Sequence, residues 1–123
     1  MKQQPAGYFV KVIRSFGYAG KGIFLFFRSP SNAWLHVAAL ILVTSTGFFL
    51  HISGNEWISI AIACSSVIAC EMLNTSIELL TDMVMPGYNK KAGKVKDIAA
   101  GAVLVTALGA LVVGLVIFLP KIF

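Results

Sequence analysis

Charge is scarce in this chain, and acidic charge is missing from its first part. Only 12% of the 123 residues are charged, and no aspartate or glutamate occurs in residues 1–54. Hydrophobic residues make up 58% of the chain, which lies far from the composition of a typical soluble domain. Length and composition together predict one domain, residues 1–123, built into a membrane.

Cysteine is also scarce, and no cleavable signal peptide is visible. Cys64 and Cys70 are six residues apart, which places them about 120° apart on a helix and argues against a disulfide or a metal pair between them. The first thirty residues have no compact apolar core followed by a small-residue cleavage site. The two cysteines are therefore expected to be small residues inside a membrane helix.

Long apolar runs are what the chain has instead. Three of them reach the about 20 residues that a span needs, and they predict transmembrane helices over residues 33–52, 57–81 and 98–119. Residues 8–27 repeat apolar side chains at helical spacing opposite a basic face, which predicts an amphipathic helix along the membrane surface. The predicted fold is an all-α membrane protein with three transmembrane helices and an N-terminal surface helix.

Residue types also suggest where two of the membrane helices begin. Pro30 fits the first turn of a helix, and Ser29 directly before it is able to cap that helix. Asp97 stands just before the third apolar run and is able to cap the third span. We therefore expect the first and third spans to start at these positions.

The positions of lysine and arginine indicate how the chain crosses the membrane. They precede the first span and fill the loop 82–97, whereas the loop 53–56 has none. This asymmetry follows the positive-inside rule. It predicts that the N-terminus and the loop 82–97 are cytoplasmic and that the C-terminus is outside. The net charge of +5 is thereby explained by topology, and no nucleic-acid partner is expected.

The second apolar run ends in the sequence Glu71-Met-Leu-Asn74-Thr-Ser-Ile-Glu78-Leu-Leu-Thr-Asp82. Offsets of 3, 7 and 11 residues place these four polar side chains along one narrow stripe of a helix. Ionisable groups at membrane depth are costly and usually face a polar site. Carboxylates beside lysines at a membrane boundary suit a magnesium–nucleotide complex, and a deeper carboxylate is placed to take a proton from a lipid hydroxyl.

Simpler structural roles compete with this interpretation. Glu78 and Asp82 could be helix-end carboxylates paired with lysines of the loop, Lys94 or Lys96. His36 on the first span could be a hydrogen-bonded interior residue rather than a ligand. Glu71 is the hardest to explain in this way, because a carboxylate so far into a span needs a reason.

Taken together, these residues resemble the small bacterial integral-membrane diacylglycerol kinase family, which also includes undecaprenol kinases. The resemblance runs from Tyr8 to about Phe118, and it is strongest where Glu-x-x-Asn-x-x-x-Glu, beginning at Glu71, is followed by Lys-Asp-x-Ala-Ala-Gly, beginning at Lys96. It implies a homotrimer in the bacterial cytoplasmic membrane with active sites shared between subunits. It also implies transfer of the γ-phosphate of ATP to a lipid alcohol, diacylglycerol or undecaprenol, with Mg²⁺ as cofactor.

The resemblance also implies roles for individual residues. Glu71 matches the general base, Asn74 matches a polar active-site position, and Glu78 matches a metal ligand. The residues that match the nucleotide site are Lys11, Tyr18, Gly87, Tyr88, Asn89, Lys96 and Asp97.

One position departs from the family pattern. The family usually has a metal-binding glutamate two residues before the position of Asn32, and this chain has Pro30 there. Either Glu78, phosphate oxygens and water hold the metal, or the chain is a degenerate member that acts as a non-enzymatic assembly or nucleotide-binding protein.

A proton- or ion-coupled transporter could also use Glu71, but the second span offers only serines toward its other end. The segment from Asn32 to His36 looks closer to the undecaprenol kinase branch.

Overall fold

A computed structural model describes residues 7–30 and 32–123 of the chain. Within them it has four α-helices and no strand: α1 Tyr8–Arg28, α2 Ala33–Phe49, α3 Gly54–Val84 and α4 Lys90–Ile122. The all-α expectation is therefore confirmed. Contacts divide the chain into two units, with α1 in Met1–Ser31 and α2 to α4 in Asn32–Phe123.

The helix α1 has an apolar face that no described residue of its own unit covers. The rings of Phe9, Phe16 and Phe24 on this face are all more than half exposed. The guanidinium carbon of Arg28 lies 5.5 Å from the centre of the Phe24 ring, a distance at which a cation is attracted to the ring face. An uncovered face of this kind is typical of a surface that meets another apolar phase.

The helix α1 ends at a serine that precedes a proline. Ser29 is extended, with φ −76° and ψ 158°, because the ring of Pro30 disfavours a helical conformation at the residue before it. The Ser29 hydroxyl donates to the Phe26 carbonyl at 2.6 Å, so it satisfies the end of α1. The expectation that Ser29 and Pro30 begin the first span is wrong, since α2 begins at Ala33 after Asn32.

A tight turn joins α2 to α3. His51 adopts a left-handed conformation, with φ 53°, and the backbone N–H groups of His51 and Ile52 donate to the carbonyls of Phe48 and Gly47. This pair of bonds is the Schellman arrangement that closes many helices. Helix α2 consequently ends at Phe49, three residues before the end of the predicted span.

The helix α3 begins with a capping box formed by Ser53 and Glu56. The Ser53 backbone N–H donates to Glu56 Oε1 at 2.9 Å, and the Glu56 backbone N–H donates to Ser53 Oγ at 3.2 Å. These two bonds satisfy groups that a helix start otherwise leaves unpaired. At its other end α3 stops at Val84, two residues before Pro86, which cannot continue a helix.

The helix α4 begins earlier than its apolar run suggests. The side chain of Asn89 accepts a hydrogen bond from the Ala92 backbone N–H at 3.0 Å and caps the helix at Lys90. The expectation that Asp97 caps it is wrong, because Asp97 lies two turns inside α4. The apolar run marks the part suited to a membrane, whereas the helix extends into the lysine-rich segment before it.

Two helices are long and apolar enough to cross a membrane, α3 with 31 residues and α4 with 33. Helix α2 has 17 residues, slightly under the about 20 that a span needs, and the number of spans rises to three if α1 and α2 count as one broken span. Large apolar side chains of this unit are exposed, among them Leu42, Leu80 and Val105. By length and composition the chain is a membrane protein.

Helix α3 packs along α4 and contacts α2 less extensively. Near the turn between α2 and α3, Ile52, Ile60 and Ile117 form a buried apolar cluster. Lys121 Nζ lies 3.3 Å from Glu56 Oε1 and ties the end of α4 to the start of α3. We call this region, residues 47–60 and 113–121, the capped end of the unit.

Candidate active site

The site is built around a carboxylate in the interior of α3. Glu71 is only 7% exposed, and its Oε2 lies 3.7 Å from Nε2 of His36 on α2. Within the described part of the chain, this is the one charged or ring-nitrogen partner of Glu71. A buried carboxylate whose one polar contact is a ring nitrogen at this distance still has oxygen lone pairs that can accept further hydrogen bonds.

One turn further along α3, Asn74 contacts the next carboxylate. Its Nδ2 donates to Oε1 of Glu78 at 3.4 Å, so the two side chains form a local pair. Asn74 is 9% exposed, and its Oδ1 is buried without a hydrogen-bond partner among the described residues. A buried acceptor left unpaired is unusual and costs stability, which makes this oxygen available for a donor that the chain itself does not supply.

The last carboxylate of the stripe is paired with a lysine of α4. Asp82 Oδ1 and Lys96 Nζ are 2.5 Å apart. Pairing of a helix-end carboxylate with a lysine, the simpler role considered for Glu78 and Asp82, is therefore confirmed for Asp82. Glu78 is exposed and has no ion-pair partner within residues 7–30 and 32–123. We call the region formed by His36, residues 71–82 and Lys96 the polar end of the unit.

The residues matched to a nucleotide site lie in several places. Gly87 and Tyr88 are exposed in the connection between α3 and α4, beside Asn89, whose side chain is occupied in capping α4. Asp97 is exposed one residue after Lys96. Lys11 and Tyr18 are exposed on α1, which belongs to the other unit.

The oxygen atoms at the polar end that could act as metal ligands fit a magnesium ion. The described residues contain no group of three or more histidine, cysteine or carboxylate side chains placed to hold a metal. Magnesium does not need one, since it commonly uses one or two carboxylates with phosphate oxygens and waters. Glu78 supplies an exposed carboxylate. Pro30 is exposed as well, but it carries no side-chain ligand.

An apolar cavity of about 560 Å³ lies among α2, α3 and α4. Its walls run from His36 near the polar end to Phe118 and Ile122 near the capped end. Val67 and Ile68, directly before the turn that carries Glu71, belong to the same wall. The cavity therefore connects apolar space within the bundle to the pair formed by His36 and Glu71.

The sequence leaves His36 open as a hydrogen-bonded interior residue or a ligand and does not reveal its partner. The structure places its Nε2 3.7 Å from Oε2 of Glu71. Its spacing of four residues after Asn32 was a visible signal, but spacing within one helix cannot reveal a partner on another. The contact depends on how α2 and α3 are rotated toward each other.

Comparison with known proteins identifies the class to which this site belongs. Residues 17–118 match the prokaryotic diacylglycerol kinase family. The undecaprenol kinase of Bacillus subtilis is 38% identical over 111 residues, covering 90% of each chain. The diacylglycerol kinase of Synechocystis is 33% identical over 86% of this chain and 61% of its own, and that of Escherichia coli K12 is 24% identical over 85% of each.

The apolar helices and these matches define a membrane-embedded lipid kinase. More particularly, the chain belongs to the prokaryotic diacylglycerol kinase family. The family match covers all of α2 and α3 and most of α4, so it includes every group of the polar end.

Proposed function

We propose that this enzyme phosphorylates a membrane lipid alcohol at the cytoplasmic face, using ATP and Mg²⁺. The observation that carries the proposal is Glu71, a buried carboxylate within a membrane helix, in contact with His36, which lines an apolar cavity. A carboxylate at that depth can meet a lipid hydroxyl, whereas the phosphates of a nucleotide belong nearer the boundary.

In the proposed reaction Glu71 is the general base. As the lipid hydroxyl oxygen attacks the γ-phosphorus of ATP, its proton passes to the Glu71 carboxylate. A phosphorus–oxygen bond to the lipid forms, and the bond from the γ-phosphorus to the oxygen bridging to the β-phosphate breaks, which releases ADP. Phosphoryl transfer depends mainly on positioning and charge stabilisation, and the buried site supplies the positioning.

Glu78 is the residue that would hold magnesium, and the ion would neutralise charge on the phosphates. The Asn74 amide donates to Glu78 and so restricts its carboxylate. The unpaired Oδ1 of Asn74 is available to a donor in the loaded site. We assign the nucleotide site to Lys11, Tyr18, Gly87, Tyr88, Asn89, Lys96 and Asp97. Lys96 must then exchange part of its contact with Asp82 for a phosphate oxygen.

The lipid alcohol is diacylglycerol or undecaprenol, and undecaprenol is the first to test. The Bacillus subtilis relative named undecaprenol kinase is 38% identical, and the segment from Asn32 to His36 resembles that branch. The apolar walls of the cavity suit a hydrocarbon chain of either lipid, because a chain that enters the cavity removes few polar groups of the protein from water.

We further propose a homotrimer in the bacterial cytoplasmic membrane, with active sites shared between subunits. The exposed apolar side chains of α2 to α4 support burial against lipid and against other copies. The lysines of the 82–97 segment and the basic side of α1 support a cytoplasmic location for both. The uncovered apolar face of α1 supports its position along the membrane surface.

The proposal is tested with purified protein in mixed micelles that contain either lipid and radiolabelled ATP. We expect transfer of the γ-phosphate to a lipid product, and we expect EDTA to abolish it. Intact oligomers that bind nucleotide but phosphorylate neither lipid would indicate the non-enzymatic alternative. Co-assembly of two inactive variants, Glu71→Gln and Lys11→Ala, should restore part of the turnover if the Glu71 and Lys11 of one site come from different subunits.

A further inference from the structure

His36 stands where it can control the orientation of Glu71. It lies in the first turns of α2, and its backbone N–H donates to the carbonyl of the capping residue Asn32 at 3.3 Å. The helix therefore fixes the backbone position from which the His36 side chain extends. The ring then reaches toward α3, where Nε2 lies 3.7 Å from Glu71 Oε2.

The surroundings of the pair leave the carboxylate few other restraints. The side chains of His36 and Glu71 are 18% and 9% exposed, so water reaches them only in part. In the described part of the chain, Glu71 has no other polar side-chain partner. His36 also lines the apolar cavity, where its neighbours Leu35 and Ala39 offer no hydrogen bond.

We propose that His36 is a positioning residue for the general base, an inference that rests on the proposed function. The imidazole donates its Nε2–H to Oε2 of Glu71. That bond turns the other carboxylate oxygen, Oε1, toward the lipid hydroxyl. The distance of 3.7 Å is longer than a formed hydrogen bond, and such bonds at catalytic groups commonly tighten only when substrate is bound.

Histidine suits this task better than a lysine or an arginine does. A fixed cation beside Glu71 stabilises its ionised form and weakens it as a base. A neutral imidazole supplies a directional donor without adding a full charge. Displacing a reacting group by about 1 Å can cost on the order of 10²-fold in rate.

The pair also lies away from the proposed metal ligand. Glu78 is seven residues beyond Glu71 on the same helix, which corresponds to about 10 Å along the axis. Magnesium prefers oxygen ligands, so an imidazole at this depth has no metal role to fill. Its effect should therefore appear in the proton-transfer step and leave the magnesium requirement unchanged.

Two amide substitutions separate positioning from simple packing. In His36→Gln the amide nitrogen reaches roughly the place of Nε2, whereas in His36→Asn it reaches only the place of Nδ1. We expect His36→Asn and His36→Leu to lose up to about 100-fold in kcat, with much smaller changes in KM for ATP and lipid. His36→Gln should recover most of the loss. His51→Asn, at the other histidine of the chain, serves as the control and should retain wild-type turnover.

A double substitution tests whether His36 acts through Glu71. If it does, adding His36→Leu to Glu71→Gln should cause no further loss of turnover, because the group being positioned is already gone. A merely structural role predicts that the two losses multiply. Thermal unfolding of each variant in detergent identifies any that fail to fold, and the His36→Gln and His36→Asn pair then decides alone.

The outcomes keep this inference distinct from the proposed function. An inactive wild type with both lipids overturns the two together. If the wild type is active, the inference alone is overturned by wild-type turnover in His36→Leu. Equal losses in His36→Gln and His36→Leu, or losses that multiply with Glu71→Gln, overturn it as well.

Discussion

The two ends of the α2–α4 unit differ in how completely their polar groups are paired. At the capped end, Ser53 and Glu56 exchange two hydrogen bonds, and Lys121 adds an ion pair. At the polar end, and among the residues that the structure describes, Glu71 has one distant partner and Asn74 has a buried oxygen without one. Fully paired groups stabilise a fold, whereas unpaired buried groups cost stability and mark positions kept for another purpose.

The buried apolar cluster lies at the capped end. Around the capped end, Ile52, Ile60 and Ile117 are buried together, and Gly47 allows the ring of Trp57 to approach α2. The apolar cavity, in contrast, extends between both ends, from His36 at the polar end to Ile60 and Phe118 at the capped end. One continuous helix, α3, therefore carries packing at its start and the proposed chemistry further along.

The largest effect is expected from Glu71→Gln at the polar end. Gln keeps the size of the side chain but cannot accept the proton, and loss of a general base typically costs about 10²–10⁴-fold in turnover. Nucleotide affinity and oligomeric state should survive. The matched control is the same substitution at the capped end, Glu56→Gln, which should leave turnover unchanged. Equal turnover in both variants would move the base away from Glu71.

The second effect concerns magnesium at the polar end. Glu78→Gln should raise the magnesium concentration for half-maximal turnover by about tenfold or more, since losing one charged partner typically costs about 1.5–3 kcal/mol. Pro30→Glu should lower the requirement by restoring a carboxylate, provided that the break after α1 tolerates losing proline. The measurement is a magnesium titration at fixed ATP. No change in either midpoint would contradict the assignment of Glu78.

At the capped end we expect a loss of stability instead of activity. A Cβ added at Gly47 would lie 2.6 Å from the Trp57 ring, so Gly47→Ala overpacks the contact between α2 and α3, at a typical cost of about 1–3 kcal/mol. Unfolding in detergent measures the change. Gly109→Ala is the control, because nothing lies within 4 Å of its added Cβ. Equal stability of the two variants would show that this contact matters little.

The smallest effect is expected in the pH dependence of folding stability, through Glu56 at the capped end. The Ser53 backbone N–H, with a further contribution from Lys121, holds the pKa of the Glu56 carboxyl below its usual value of 4.5. Because the folded-state pKa is lowered, this contribution to stability is present above pH 4.5 and is lost as the pH falls below it. Glu56→Gln should flatten the stability profile in that acid range. An unaltered profile would mean that the carboxylate contributes nothing.

Much of the fold was readable from the sequence because it follows from apolar runs and from proline. The range 8–27 matches α1 to within one residue, and the apolar runs 57–81 and 98–119 lie inside α3 and α4. The exact ends of the helices were harder to predict from the sequence. The left-handed turn at His51 and the cap at Asn89 are side-chain and backbone details that hydropathy does not reveal.

The stripe on α3 was also predictable, since it depends only on helical spacing. The pairing of its members was not. His36 meets Glu71 and Lys96 meets Asp82 because of the rotation and tilt of three helices, which no single-helix pattern contains. The assigned roles of these residues in catalysis stay predictions.

The central claim is that the chemistry lies at the polar end and the packing that holds the unit together lies at the capped end. Its most direct test is the initial rate of lipid phosphorylation per folded molecule for wild type, Glu71→Gln and Gly47→Ala. We predict that Glu71→Gln stays folded and loses about 10²–10⁴-fold, while folded Gly47→Ala keeps a rate near that of wild type. A wild-type rate in Glu71→Gln, or an equal loss in folded Gly47→Ala, would contradict the account.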